Sequence, residues 1–293
     1  MNWQKRLKGN VKLAEPLKRH TTYKIGGAAK IFFEPYDMQG LESALVFFKA
    51  RKIPVLLIGA GSNILAGDKG IKAAVIRLNS PDFKKITLQD RYLHAGAGAA
   101  LASLVNAAKA HGLSGLEFLS GIPGTVGGAL FMNAGAWGDS IVDYVEKINL
   151  LDYNGKRVVL EGKNLNFTYR SSGLEKYIIL NAIFKLKKSS RVEIARKLAK
   201  FREQKVSTQD LGKPSCGCVF KNPQGSSAGK LIDACGLKGR QSGGARISSK
   251  HANFILNQSH AKAADVLRLM ALAKKEVKKK FKIDLQPEVK IWQ

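Results

Sequence analysis

Cys216 and Cys218 stand one residue apart in PSCGCVFKNP (214–223), directly ahead of an aromatic and a Lys-Asn-Pro turn. Such a pair can clip a metal, form a disulfide or supply a reactive thiol. A structural metal needs about four ligands at tetrahedral spacing, and the chain has no second cysteine pair and no histidine within the usual reach of a finger. A Cys216–Cys218 disulfide would close a very tight ring with poor geometry. With Cys235 the cysteines number three, so any disulfide scheme leaves a thiol over, and reduced cysteines fit best. Neither a metal nor a disulfide is expected.

Glycine loops supply the second kind of chemistry. GAGSNIL (59–65) follows the apolar run VLLIG and begins like a dinucleotide fingerprint, whose glycines let the backbone approach a pyrophosphate. Ile64 stands where the third glycine belongs, no helical pattern follows, and the βαβ unit is missing; GAGAAL (96–101) fails at the same place. Taken singly, each reads as a turn. GIPGTVGGALFMNAG changes the balance, because Gly121, Gly124, Gly127 and Gly128 with a proline between them offer backbone N–H groups that can form an anion-binding nest. Phosphate-cradling loops that are not Rossmann loops point to a different nucleotide-binding fold.

The elements that must carry these loops are legible in part. ESALVFFKARKIP (42–54) reads as a helix, VLLIG (55–59) as a buried strand, and AVIRL and YLHAG as further strands. ALASLVNAAKAHG (100–112) reads as a helix stopped by Gly112. VEKINLLDYNGKRVVL reads as a hairpin turning at Asn154-Gly155, with YIILNAIFKLK as another strand. The patterns predict helices over 191–205 and 261–281, a strand over 253–257 and an extended end, IDLQPEVKIW. At 293 residues, with 45% hydrophobic and 24% charged residues, the chain is globular and long enough for two or three lobes. The main boundary is placed near residue 205.

The formal charge of +27 invites the thought of nucleic acid. The basic residues are spread along the chain, however, and the densest cluster, KKEVKKKFK (274–282), reads as the solvated end of an amphipathic helix. There is no zinc-finger spacing, RNP-like aromatic pattern or basic zipper, and small anionic ligands explain a basic protein equally well. No apolar run approaches the roughly 18 residues of a membrane span, and the N-terminal stretch lacks a signal peptide's apolar segment. The expectation is a cytoplasmic protein with no membrane and no nucleic-acid partner.

RHTTYKIGG (19–27), LLIGAGSNIL (56–65), GLEFLSGIPGTVGGALFMNAGAWG (115–138) and YRSS (169–172) together resemble the MurB family of UDP-N-acetylenolpyruvoylglucosamine reductases. GCVFKNP, AGKLID, GLKG, GGARIS, HANFI and PEV (287–289) continue the match in order, so that it covers nearly the whole chain. The resemblance implies an α+β protein with two FAD-binding subdomains of the vanillyl-alcohol-oxidase (PCMH) type, over 1–205 with a subdomain boundary near 78. A C-terminal α+β substrate-binding domain would follow over 206–293, its last strand returning to the active site.

The implied activity is that of an NADPH-dependent UDP-N-acetylmuramate dehydrogenase of peptidoglycan precursor synthesis. NADPH reduces noncovalent FAD and departs, the enolpyruvyl ether of UDP-N-acetylglucosamine enters, N5 of the flavin delivers hydride to C3, and C2 takes a proton. On this resemblance Gly59, Gly61, Ser62 and Asn63 hold the pyrophosphate, and Gly121, Gly124, Thr125, Gly127 and Gly128 line the rest of the cofactor cleft. Arg170 matches the catalytic arginine, able to grip a carboxylate with its planar fork. Glu288 matches the C-terminal catalytic glutamate, which shares in polarising the substrate acid or relays a proton. Cys218 occupies the position at which the family usually has a proton-donating serine; a thiol, with an ordinary pKa of about 8.5, is the better acid. Cys216 and Cys235 are assigned to packing, and Lys221 and Asn222 to the substrate diphosphate. The spacing of Arg170 and Cys218 resembles the shorter class of the family, without the inserted tyrosine loop. A flavin oxidase on the same fold is the nearest rival, with His20 as the candidate for a covalent flavin link.

Overall fold

The computed structural model describes residues 3–293. Two hydrophobic cores form, and they coincide with two compact units: one of residues 1–13, 31–59 and 72–204, the other of residues 14–30, 60–71 and 205–293. The chain passes between them after Leu13, Lys30, Gly59, Ile71 and Gln204.

In the first unit, a five-stranded antiparallel sheet runs in the order Arg157–Glu161, Val145–Asp152, Tyr177–Lys185, Tyr92–Gly96, Ile86–Gln89. Its register aligns Ile148 with Ala182 and Ala182 with Ala95. The expected hairpin turn is built as the sequence suggests: Asp152 Oδ1 accepts from the N–H groups of Asn154 and Lys156, each at 2.8 Å. Gly155 takes φ +88°, open to glycine without strain. Strands Gly9–Pro16, Ala28–Pro35, Ile71–Ile76 and Val55–Leu57 contribute their first-unit residues to a four-stranded sheet in that order, with Val55–Leu57 parallel to Ile71–Ile76.

The helices of this unit bury one stripe each. Met38–Ala50 begins four residues earlier than expected because Asp37 caps it, its Oδ1 accepting from Gly40 N–H at 2.9 Å. Leu41, Ala44, Leu45 and Phe48 then fall on one buried face. Leu101–Ala110 buries Leu101, Leu104, Val105 and Ala108. The short helix Val126–Phe131 and the long Arg191–Thr208 complete the set used below.

In the second unit, Ala263–Phe281 places Val266, Leu269, Met270, Ala273 and Val277 in the core and its lysines outward. Asp68, from far up the chain, caps this helix by accepting from Ala263 and Ala264 N–H at 2.8 and 3.1 Å. A three-stranded antiparallel sheet consists of Gln241–Ser242, Ala245–Ile247 and Ile255–Asn257. The extended C-terminal segment forms strand Lys290–Trp292, parallel to Ile64–Ala66. Tyr23, Ile25 and Leu65 are buried with residues from beyond 215 in one core, so the early segments are structural members of this unit.

Candidate functional site

The first unit contains Gly59, Gly121, Gly124, Thr125, Gly127, Gly128 and Arg170. Two of its glycine loops lie against each other: a Cβ on Gly59 would stand 2.4 Å from Thr125 Oγ1. The GAGAAL segment, by itself only a turn, backs the third loop. Leu101 N–H donates to Gly124 O at 3.0 Å, Val126 N–H to Ala99 O at 2.9 Å, and Gly127 N–H to Ala97 O at 2.8 Å. Thr125 caps Val126–Phe131, its Oγ1 accepting from Gly128 N–H at 3.3 Å. An anion at this loop would therefore be met ahead of the helix, at Gly124 and Thr125. Gly128 is exposed, and a Cβ there would meet only Thr125 Oγ1 at 3.4 Å, so its outer side is open to a flat or extended ligand.

Arg170 sits on a tight turn. Thr168 and Ser171 exchange backbone hydrogen bonds of 2.9 and 3.1 Å around Tyr169 and Arg170, and Arg170 takes φ +57°. That left-handed conformation is normal for glycine and costs a residue with a Cβ about 1 kcal/mol or more. Backbone strain of this kind clusters where function needs it. One end of the guanidinium is anchored, Arg170 donating to Gly135 O at 3.0 Å, and its carbon lies 5.3 Å from the exposed Tyr169 ring. Neighbouring Trp137 is 42% exposed and stacks on Phe201 at 4.6 Å.

The second unit contains Gly61, Ser62, Asn63, Cys218, Lys221, Asn222 and Glu288. A Cβ on Gly61 would stand 2.0 Å from His20 O, and its φ of +65° is again one that glycine tolerates. The HTT segment braces this loop and the cysteine loop together. Thr22 N–H donates to Gly61 O at 3.2 Å, and Thr22 Oγ1 donates to Ser215 O at 2.7 Å. His20 is engaged with Glu15 at 2.9 Å.

Cys218 and Glu288 are held by one backbone ladder. Val219 N–H donates to Asn253 O and Glu288 N–H to Val219 O, both at 2.9 Å, while Lys221 N–H donates to Gln286 O at 2.9 Å. Asn253, buried, completes the ladder with its side chain: its Oδ1 accepts from Phe220 N–H at 3.0 Å and its Nδ2 donates to Phe220 O at 2.8 Å. Asn63 joins the same frame, its Nδ2 donating to Glu288 O at 3.2 Å and its carbonyl accepting from Lys290 N–H at 2.9 Å. The loop expected to hold the cofactor's pyrophosphate is thus bonded to the segment expected to carry the catalytic carboxylate. Asn222 Oδ1 caps Ala228–Ala234 by accepting from Ala228 N–H at 3.0 Å.

The three thiols have distinct settings. None is joined in a disulfide; Cys216 is buried, and Cys218 and Cys235 are partly exposed. Burial pushes the Cys216 thiol well above its ordinary range, and burial likewise raises the neighbouring Tyr23 phenol. Cys216 is thus kept protonated inside, while Cys218 and Cys235 both reach the surface in part. Sequence patterns missed Asn63's second partner, Thr22, Asn253 and Asn133, all of which act through hydrogen bonds between segments distant in sequence. Their common signal is a polar residue inside a glycine-rich or apolar stretch.

Residues 209–292 match the family described as UDP-N-acetylenolpyruvoylglucosamine reductase, C-terminal domain, and residues 29–161 match the FAD binding domain family. The UDP-N-acetylenolpyruvoylglucosamine reductase of Caldanaerobacter subterraneus subsp. tengcongensis is 41% identical over 285 residues, covering 97% of this chain and 94% of its own. The crystal structure of UDP-N-acetylenolpyruvylglucosamine reductase (MurB) from Thermus caldophilus superposes with a TM-score of 0.84 at 36% identity, covering 98% of this chain and 100% of that one. At the level of fold alone, 6-hydroxy-D-nicotine oxidase from Arthrobacter nicotinovorans matches with a TM-score of 0.50 at 14% identity, over 62% of this chain and 43% of that one. The α+β architecture is therefore the PCMH-type FAD-binding fold joined to a MurB C-terminal domain. With relatives aligned over almost its full length, the chain belongs to the UDP-N-acetylenolpyruvoylglucosamine reductase (MurB) family, FAD-dependent oxidoreductases of peptidoglycan precursor synthesis.

Proposed function

We propose that the chain reduces the enolpyruvyl ether of UDP-N-acetylglucosamine to UDP-N-acetylmuramate in two half-reactions, with NADPH as reductant and Cys218 as proton donor. The observation that carries the assignment of the acid is the ladder through Val219, which sets Cys218 and Glu288 on adjacent, mutually bonded segments. FAD, held noncovalently, supplies the hydride relay from NADPH to C3 of the ether. Residues 1–205 serve the cofactor and 206–293 the sugar nucleotide, although packing also draws 14–30 and 60–71 into the second unit. Gly59, Gly61, Ser62 and Asn63, with Gly121, Gly124, Thr125, Gly127 and Gly128, hold the cofactor, and Lys221 and Asn222 meet the substrate diphosphate.

Arg170 binds the substrate carboxylate and remains cationic as negative charge builds beside it, an electrostatic stabilisation of the transition state. Cys218 gives its proton to C2. Glu288 polarises the carboxylate from a second direction or returns a proton to the thiol. No helix among the described residues is long and apolar enough to cross a membrane, and the substrates are small and water-borne.

The pH dependence of Cys218 tests this reading. A general acid works only while it holds its proton, and a thiol loses its proton within an accessible pH range where a serine hydroxyl does not. Flavin reoxidation by the sugar nucleotide should fall on the alkaline side, and Cys218→Ser should flatten that limb while keeping activity. Cys218→Ala should be bleached by NADPH normally and then stall. Wild-type reoxidation by Cys218→Ala across the pH range would make the thiol a bystander. Flavin that stays on the protein after acid precipitation would favour a covalent flavin oxidase instead.

A further inference from the structure

We propose that Asn133 is the positioning residue for Arg170, acting through the turn on which the arginine stands. The inference rests on the reading of Arg170 as the carboxylate-binding group.

Three hydrogen bonds stitch residues 131–135 to residues 168–172. Asn133 Nδ2 donates to Thr168 O at 3.0 Å, Arg170 donates to Gly135 O at 3.0 Å, and Ser172 Oγ donates to Phe131 O at 2.9 Å. Two are donated by 168–172 and one by 131–135, so each segment both gives and receives. The middle of the stitch is the reactive arginine itself.

Asn133 is placed for this by the way its helix ends. Asn133 N–H bonds Leu130 O at 3.0 Å and Ala134 N–H bonds Ala129 O at 2.8 Å, the pair of a Schellman termination of Val126–Phe131. Asn133 is the left-handed residue of that motif, at φ +42°, a conformation asparagine accepts better than most residues with a side chain. Glycine would serve the backbone equally well. Choosing asparagine adds one thing, an amide that reaches Thr168 O.

That carbonyl belongs to the residue pair that closes the Tyr169–Arg170 turn, and the turn holds Arg170 in a strained conformation. A strained residue stays put only where its surroundings over-determine it. Asn133 is buried at 6% exposure, so its bond is made out of water and is directional. The adjoining Gly135 carbonyl then fixes the guanidinium at the other end. Without the amide, the turn can relax and carry the planar fork away from the direction a bidentate carboxylate contact requires.

The test uses FAD-loaded full-length protein and separates the two half-reactions. Asn133→Gly keeps the left-handed backbone and deletes the amide. It should retain bound flavin, and NADPH should bleach it at close to the wild-type rate. Reoxidation by UDP-N-acetylglucosamine enolpyruvate should slow by tenfold or more. A role through Arg170 further requires that Asn133→Gly combined with Arg170→Lys be no slower than Arg170→Lys alone. A purely structural role would instead lower the thermal midpoint and flavin content and multiply with the arginine variant. If the glycine variant does not accumulate as flavoprotein, Asn133→Asp carries the same test, since it keeps size and backbone preference but puts an acceptor where the donor was. Wild-type reoxidation in the Asn133 variant, with Arg170→Lys impaired, would overturn this inference alone. Normal reoxidation in Arg170→Lys would overturn the reading of Arg170 and this inference with it.

Discussion

In the first unit Arg170 rides on a two-residue turn that protrudes from regular structure and is tied down by side chains to main-chain carbonyls. In the second unit Cys218 and Glu288 lie on strand-like segments tied to each other main chain to main chain, with Asn253 inserted as a side-chain continuation of the ladder. The two arrangements fail differently. A side-chain stitch around a strained turn can be undone with little loss of fold, because the core beneath it is untouched. A ladder that is also the floor of a hydrophobic core cannot lose a member without losing stability. Aim is thus the vulnerable property of the first unit, and integrity that of the second.

Arg170→Gly should break the comparison most sharply. Glycine relieves the left-handed strain but adds freedom to the unfolded chain, so stability should stay within about 1 kcal/mol of wild type. Substrate-driven flavin reoxidation should drop by roughly a thousandfold, the scale on which transition-state charge stabilisers act. A thermal melt beside a stopped-flow trace decides the matter, and parallel loss of both would show that the turn is structural.

Asn253→Ala should do the opposite. Leaving Phe220 N–H and C=O unpaired in the interior costs about 2–5 kcal/mol in total, to be read from urea denaturation. The unfolding transition should report the second unit, with Trp292 on its C-terminal strand as the probe. A loss below about 1 kcal/mol would show that the ladder is not what holds this unit.

A smaller effect attends Lys205, a residue of the second unit that is 7% exposed and whose pKa burial lowers to about 8. The unfolded chain binds this proton more tightly than the folded one. The resulting cost to stability is fully present below pH 8 and fades as pH rises toward the ordinary lysine value of 10.5. Lys205→Met should therefore stabilise the protein by about 1–3 kcal/mol at neutral pH. The gain over wild type should shrink between pH 8 and 10.5. An unchanged gap across that window would assign the effect to packing alone.

Periodicity made much of the first unit readable. The helix expected over 100–112 is Leu101–Ala110, and YLHAG is a strand along its whole length. The expected start at 42 missed the first turn of helix, whose signal is the capping Asp37. The helix expected over 261–281 is Ala263–Phe281, again because its apolar stripe is long. The membership of the second unit left no trace in local pattern, since Tyr23 and Leu65 reach its core only by long-range packing. The same holds at the candidate site. Glycine loops announce themselves by composition, and YRSS and PEV only by resemblance to the family, whereas the bond from Asn63 to Glu288 joins residues 225 apart. No window of sequence contains both ends.

The pairing of Ile64–Ala66 with Lys290–Trp292 bears on how the protein is made. The sheets and helices of the first unit draw on residues up to 204, so they can condense while later residues are still inside the ribosome. Residues 14–30 and 60–71 are synthesised early but must wait for partners that emerge much later, and contacts closed over so long a loop are slow to form. During that wait Tyr23, Ile25 and Leu65 are apolar groups without their core. The interval between their emergence and that of residue 292 is when a nascent chain has most need of a chaperone.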